Sequence, residues 1–96
     1  MTGAQKAYLR GLAQNLKPLL HIGKNGLTDA AGKELDALLA HHELVKVKFD
    51  TAGREERKSL SADLAQKTGS TLIGAVGRTA VYYLPNPDPA KRTIRV

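Results

Sequence analysis

Four consecutive residues, Gly23-Lys24-Asn25-Gly26, combine the groups that can hold a phosphate. Glycine lets a backbone turn tightly and lets a ligand approach without a Cβ in the way. Lys24 supplies a full positive charge and Asn25 an amide donor. The N–H groups of the loop, and those opening a helix after it, add partial positive charge. Such a loop holds a phosphodiester without reading a base. Its spacing alone is a weak signal, because Gly74-Ala75-Val76-Gly77 repeats it. That second copy lies in an apolar run, has no basic residue inside and precedes no helix. It reads as a strand glycine followed by a turn glycine. The competing reading of Gly23–Gly26 is a plain strand-to-helix turn.

Other chemistries find little support. The chain has no cysteine, so disulfides, thiol nucleophiles and thiolate zinc sites are excluded. Neither a Walker A pattern nor a Rossmann glycine fingerprint occurs. His21, His41 and His42 lack metal-ligand spacing. Adjacent histidines on a helix point about 100° apart and chelate poorly. No Ser/His/Asp set or paired-carboxylate site can be argued. The expectation is a protein with no catalytic residues, no metal, no cofactor and no small-molecule substrate. The aromatics are few: Tyr8, Phe49, Tyr82 and Tyr83. Single-strand binders stack bases on exposed rings. Tyr82 and Tyr83 face opposite sides of their strand, so at most one offers a platform. That favours recognition of backbone and shape, as with structured RNA.

The charge gives these sites a context. Fifteen Lys and Arg against nine Asp and Glu leave +6 in 96 residues, with a pI near 9.8. Such a balance favours a polyanion, nucleic acid before an acidic membrane. The bland alternative is a solubilising surface. Residues 1–28 carry Lys6, Arg10, Lys17 and Lys24 and no acid, whereas residues 29–43 carry four acids and one lysine. Residues 44–68 have a net charge of +2 and residues 69–96, with Arg78, Lys91, Arg92 and Arg95 against Asp88, one of +3. A polyanion should approach the loop, the first helix (Lys6, Arg10, Lys17) and Arg78, away from the acidic second helix.

The elements that must position the loop follow from periodicity. Thr2 with Gln5 three residues on fits a capping box. Tyr8, Leu9, Leu12, Ala13 and Leu16 then recur at helical spacing, with Lys6, Arg10, Gln14 and Lys17 on the opposite stripe. Pro18 ends the helix. Leu19 to Ile22 reads as a buried strand. Thr28 caps a second helix, with Asp29 in its first turn, an apolar face of Ala31, Leu35, Leu38 and Leu39, and His41 and His42 in its last turn. Leu44 to Asp50 alternates, with Val45, Val47 and Phe49 on one side and Lys46, Lys48 and Asp50 on the other. After a turn at Thr51-Ala52-Gly53, a charged helix runs from about Arg54 to Lys67 with Leu60 and Leu64 inward and Gly69 as its stop. Thr71 to Val76 and Thr79 to Leu84 form a hairpin around Gly77-Arg78. Residues 85–96 form a Pro-containing basic tail. The expected fold is α+β, of the two-layer α/β type: α-β-α-β-α-β-β, with crossover helices on one face of a mixed four-stranded sheet whose other face is partly open. One domain spans residues 1–84. No apolar run has signal-peptide or transmembrane length, so a cytoplasmic location is expected.

With the elements in this order, the chain resembles the CRM domain (chloroplast RNA splicing and ribosome maturation), most closely its stand-alone bacterial YhbY-type members. The resemblance covers nearly the whole chain. It rests on Leu12-Ala13…Leu16-Lys17-Pro18, on Ile22-Gly23-Lys24-Asn25-Gly26-Leu27-Thr28 and on His42-Glu43-Leu44-Val45-Lys46-Val47-Lys48. The Thr68-Gly69 step and the Val76-Gly77-Arg78-Thr79 turn fit as well. The resemblance implies a fold similar to the C-terminal domain of translation initiation factor three, a basic surface, a GxxG loop at Gly23–Gly26 that contacts RNA, and no enzymatic activity. It further implies a factor in ribosome assembly, with precursor large-subunit ribosomal RNA or its particle as partner; separately, a monomer is expected. The Pro-rich 85–90 segment departs from the family pattern. The alternative from another class is a protein-interaction adaptor using the open sheet face and the acidic second helix.

Overall fold

A computed structural model describes residues 1–23, 26–50 and 53–96. Helix α1 spans Gly3–Ala13. It starts where the capping box predicts: Thr2 Oγ1 accepts from Gln5 N at 3.1 Å, and Gln5 Oε1 accepts from Thr2 N at 2.9 Å. It stops earlier than the periodicity predicts, with Gln14 N donating to Gly11 O and Leu16 N to Ala13 O in a closing turn. Lys17 therefore lies beyond the helix, and the stripe of Lys6, Arg10, Gln14 and Lys17 is not one helical face. The apolar face shrinks with it. Leu9 and Ala13 are buried, whereas Tyr8, Leu12 and Leu16 are 52, 39 and 39% exposed.

Strand β1 (Leu20–Ile22) begins one residue later than expected. Helix α2 (Asp29–His42) is capped by Thr28, whose Oγ1 accepts from Ala31 N at 3.1 Å. Strand β2 covers Leu44–Phe49, helix α3 Arg54–Thr68, strand β3 Thr71–Val76 and strand β4 Thr79–Tyr83. Gly69, with φ 68°, ends α3 in the left-handed conformation that glycine adopts without penalty. The sheet order is β1-β2-β4-β3. β1 runs parallel to β2, while β4 is antiparallel to both β2 and β3. The crossover through α3 thus carries the chain past a vacant position that β4 fills on its return.

Alternation in β2 sorts two cores onto the two sheet faces. Val45, Val47 and Phe49 join Leu20, Ile22, Ala80 and Tyr82 beneath Leu35 and Leu39 of α2 and Leu64 of α3. Tyr82 ties this layer together, its hydroxyl donating to Ser61 O at 2.8 Å; burial raises its pKa well above the ordinary phenol value. Tyr82→Phe leaves that carbonyl without its partner and should cost about 1 kcal/mol, read from the urea unfolding midpoint. The opposite face is not bare. Leu9 and Ala13 of α1 pack there on Leu44, Ile73, Val81 and Tyr83. The two-layer expectation is corrected to a sheet with two helices on one face and α1 across part of the other. The part left uncovered agrees with the expected opening, for Lys46 and Lys48 are half-buried and His21 is exposed. Both Tyr82 and Tyr83 are buried, so neither is a stacking platform.

Residues 85–96 are fastened to the domain rather than trailing from it. Glu43, in the sharp turn between α2 and β2, is only 2% exposed and has φ 59°. Its carboxylate accepts from Asn86 N (2.8 Å), Thr93 N (2.6 Å), Thr93 Oγ1 (2.8 Å) and Ile94 N (3.2 Å). Ile94 packs against the α1-side core. Between these points Pro89–Lys91 forms a single 3-10 turn capped by Asp88, whose Oδ1 accepts from Ala90 N at 3.0 Å.

Candidate nucleic-acid interface

The sheet has two ends, and they differ in character. At one end β1 runs into the glycine loop, α3 begins, and β3 turns into β4. Asp50 N donates to Ile22 O at 2.8 Å and Phe49 N to Arg78 O at 2.7 Å. These two bonds hold the root of the glycine loop and the Gly77-Arg78 turn on either side of the end of β2. Gly23, Gly26 and Arg78, distant in sequence, therefore share one end of the domain.

Within the loop, Gly26 has φ 71°, the left-handed region open to glycine at little cost, and its N–H donates to Gly23 O at 3.0 Å. Gly23 has open space where a Cβ would stand, so the approach to it is unobstructed. Lys24 and Asn25 lie outside the described residues. Beside the loop is a shallow concavity of about 290 Å³, bordered by Gly23, Gly26, Thr28 and Glu34. The N-terminus of α2 opens onto it, placing partial positive charge there. Several acids temper this end: Glu34 on that border, Asp29 in the first turn of α2, Glu55 and Glu56 in the first turn of α3, and Asp50, whose Oδ2 lies 3.7 Å from His21 Nδ1.

The remaining sequence-based candidates lie elsewhere. Lys6 and Arg10 belong to α1, on the face away from α2 and α3. Arg10 is laid over β3, its Nη1 donating to Ile73 O at 3.4 Å. A Cβ at Gly74 would stand 2.9 Å from Arg10 Cδ, so the second glycine pattern serves this close approach and the adjacent strand irregularity between Leu72 and Gly74. Lys17 precedes β1, at the end of that strand remote from the loop. The acidic second helix is weaker on the surface than its sequence indicates. Glu43 is internal, and Asp29 pairs with Lys67 of α3 at 3.1 Å.

Sequence reading missed a cationic set on α3. Arg54, Arg57 and Lys58 line a groove of about 800 Å³ between that helix and the β3–β4 hairpin, with Arg78 on the other wall. The signal was present in the spacing, because positions 54, 57, 58 and 61 fall on one helical face. The helix read only as generally charged because Glu55 and Glu56 interrupt the run.

Together these features define a small α+β domain with a glycine loop, a helix N-terminus and a cationic turn gathered at one end of a mixed sheet. The sequence profile described as the CRS1 / YhbY (CRM) domain matches residues 1–83. The chain belongs to this family. It is 37% identical over 91 residues to a Pseudomonas aeruginosa protein named "Probable RNA-binding protein", covering 95% of this chain and 88% of that one. It is 36% identical over 84 residues to a Haemophilus influenzae protein named "RNA-binding protein", covering 88% of this chain and 85% of the relative. The solution structure of a Staphylococcus aureus protein superposes with a TM-score of 0.84 at 33% identity, covering 99% of both chains.

Proposed function

We propose that this protein binds structured RNA, holding the phosphodiester backbone at the Gly23–Gly26 loop as a non-catalytic factor in assembly of the large ribosomal subunit. The observation that carries the reading is the convergence at one sheet end: a glycine loop with a left-handed Gly26, the Thr28-capped start of α2, and Arg78 held nearby through β2. The names of the relatives support RNA as the ligand class. Lys24 and Asn25 contact phosphate and sugar, and Gly23 and Gly26 permit the close approach. Lys6, Arg10, Lys17 and Arg78 extend the field that attracts the polyanion. A ribosomal precursor fits this chemistry because its helices expose closely spaced phosphates and can be recognised by shape.

The test is a salt titration of affinity for a large-subunit ribosomal RNA fragment. Each phosphate contact contributes a slope of about −0.7 to −0.9 in log affinity against log salt. Lys24→Ala should weaken binding and flatten the slope by about one such contact. A wild-type response without salt dependence, or a variant that binds identically, contradicts the loop assignment. The adaptor alternative loses ground because internal Glu43 and paired Asp29 leave α2 with a reduced acidic face.

A further inference from the structure

We propose that the groove between α3 and the β3–β4 hairpin receives an unpaired nucleotide of the RNA whose backbone the glycine loop holds. The inference rests on the RNA-binding reading above and deepens it. The groove has its own floor and rim. Leu72, Ala75 and Ala80 give it an apolar hairpin side. Arg54 and Lys58 stand on the helix side and Arg78 on the turn side. None of these three cations forms an ion pair with a described residue. An apolar floor between cationic rims suits a base below and phosphates above. At about 800 Å³ the groove is of the size that holds one small organic ligand, well short of a duplex.

Its location connects it to the loop. Gly26 lies against α3, with the position of a Cβ 3.9 Å from Leu60 Cδ2. The groove lies on the other side of the same helix, lined by Lys58 and Ser61. Arg78 belongs to both, because its carbonyl accepts from Phe49 N at the sheet end that carries the loop, and the residue also forms the groove wall. A strand held at the loop therefore has a cationic path across the start of α3. Tyr82, Tyr83 and Phe49 are all buried, so none of these three sheet residues offers a base platform. Arginine planes serve instead, as they do for splayed bases in RNA complexes. Glu55, also on the wall, is an acceptor for exocyclic amines and disfavours a second phosphate.

The experiment compares two RNA hairpins of equal length, one fully paired and one with a single-nucleotide bulge, and reads the ratio of their affinities. Wild type should favour the bulged RNA by about tenfold, the range of one stacked base. Arg54→Gln/Lys58→Gln should bring the ratio close to one. Ala62→Leu, which fills the groove from an exposed helical position without changing charge, should do the same. Lys24→Ala should weaken both RNAs and keep the ratio. Thermal unfolding of each variant shows that it is folded. A wild-type ratio of one, or a ratio unchanged in both groove variants, overturns the groove proposal while leaving loop binding intact. Absence of salt-dependent binding to either hairpin overturns the underlying RNA reading.

Discussion

Glu43→Gln should lower the unfolding free energy by about 2–4 kcal/mol and release residues 85–96, although Glu43 is far from the glycine loop. The carboxylate is buried, which on its own raises its pKa. The N–H groups of Asn86, Thr93 and Ile94 and the Thr93 hydroxyl outweigh that burial and hold it at about 2, below the ordinary 4.5. A glutamine keeps the shape but exchanges one acceptor oxygen for an NH₂ that confronts a backbone donor. The strap then loses its anchor, and Ile94 loses its support on the α1-side core. Urea unfolding reads the stability. Hydrogen exchange at Asn86, Thr93 and Ile94 reads the release, and those amides should lose protection before the β2 and β4 amides do.

The same carboxylate sets an acid limit. Its pKa is depressed in the folded state, so its contribution is complete above about pH 4.5 and is lost as pH falls from there toward 2. The difference between those values corresponds to roughly 3 kcal/mol of stability. Glu43→Gln should flatten this part of the stability profile and leave the neutral region parallel to wild type. Glu43→Gly separates the backbone from the side chain. It removes the cost of a non-glycine residue at φ 59°, about 1–2 kcal/mol, yet also removes every hydrogen bond to the strap. It should therefore remain less stable than wild type. In a chain ending at Leu84 the carboxylate is solvated, and Glu43→Gln there should cost much less. The gap between the two backgrounds measures the coupling between clasp and strap.

This clasp also shows where sequence reading stops. The elements were legible because each carries a local signal: a capping box at Thr2, a cap at Thr28, period-two alternation through β2 and a stop at Gly69. The end of α1 was not, because Leu12 and Leu16 keep the helical period while the chain has already turned at Gln14. Glu43 reads as one acid among four in the second helix segment, and its partners lie 43 to 51 positions away. No local pattern encodes such a pairing. The candidate site divides in the same way. The loop and the Gly77-Arg78 turn were found separately by turn chemistry. That they share a sheet end depends on β4 lying between β2 and β3. The groove required the same information, since one of its walls is a hairpin and the other a helix.

The loop itself predicts the larger functional effect. Gly26→Asp should reduce RNA affinity by about 10- to 100-fold, whereas Gly26→Asn should reduce it far less. The pair isolates charge. Both residues tolerate the left-handed conformation better than other side chains, and Gly26 requires it with φ 71°. A Cβ there meets only Leu60 Cδ2 at 3.9 Å, an ordinary van der Waals distance, so neither side chain is excluded by the body of the domain. Aspartate and asparagine then differ by one negative charge at the N-terminal side of α2. Against a polyanion that charge repels the ligand and occupies the N–H groups intended for phosphate. The fold should register the difference in the opposite sense, since an acid near a helix N-terminus is mildly stabilising. Equal or higher thermal stability in Gly26→Asp than in Gly26→Asn, together with much weaker RNA binding, separates loss of the site from loss of the fold. Equal affinities for the two variants would mean that phosphate is not held at Gly26, and the loop would revert to a strand-to-helix connection.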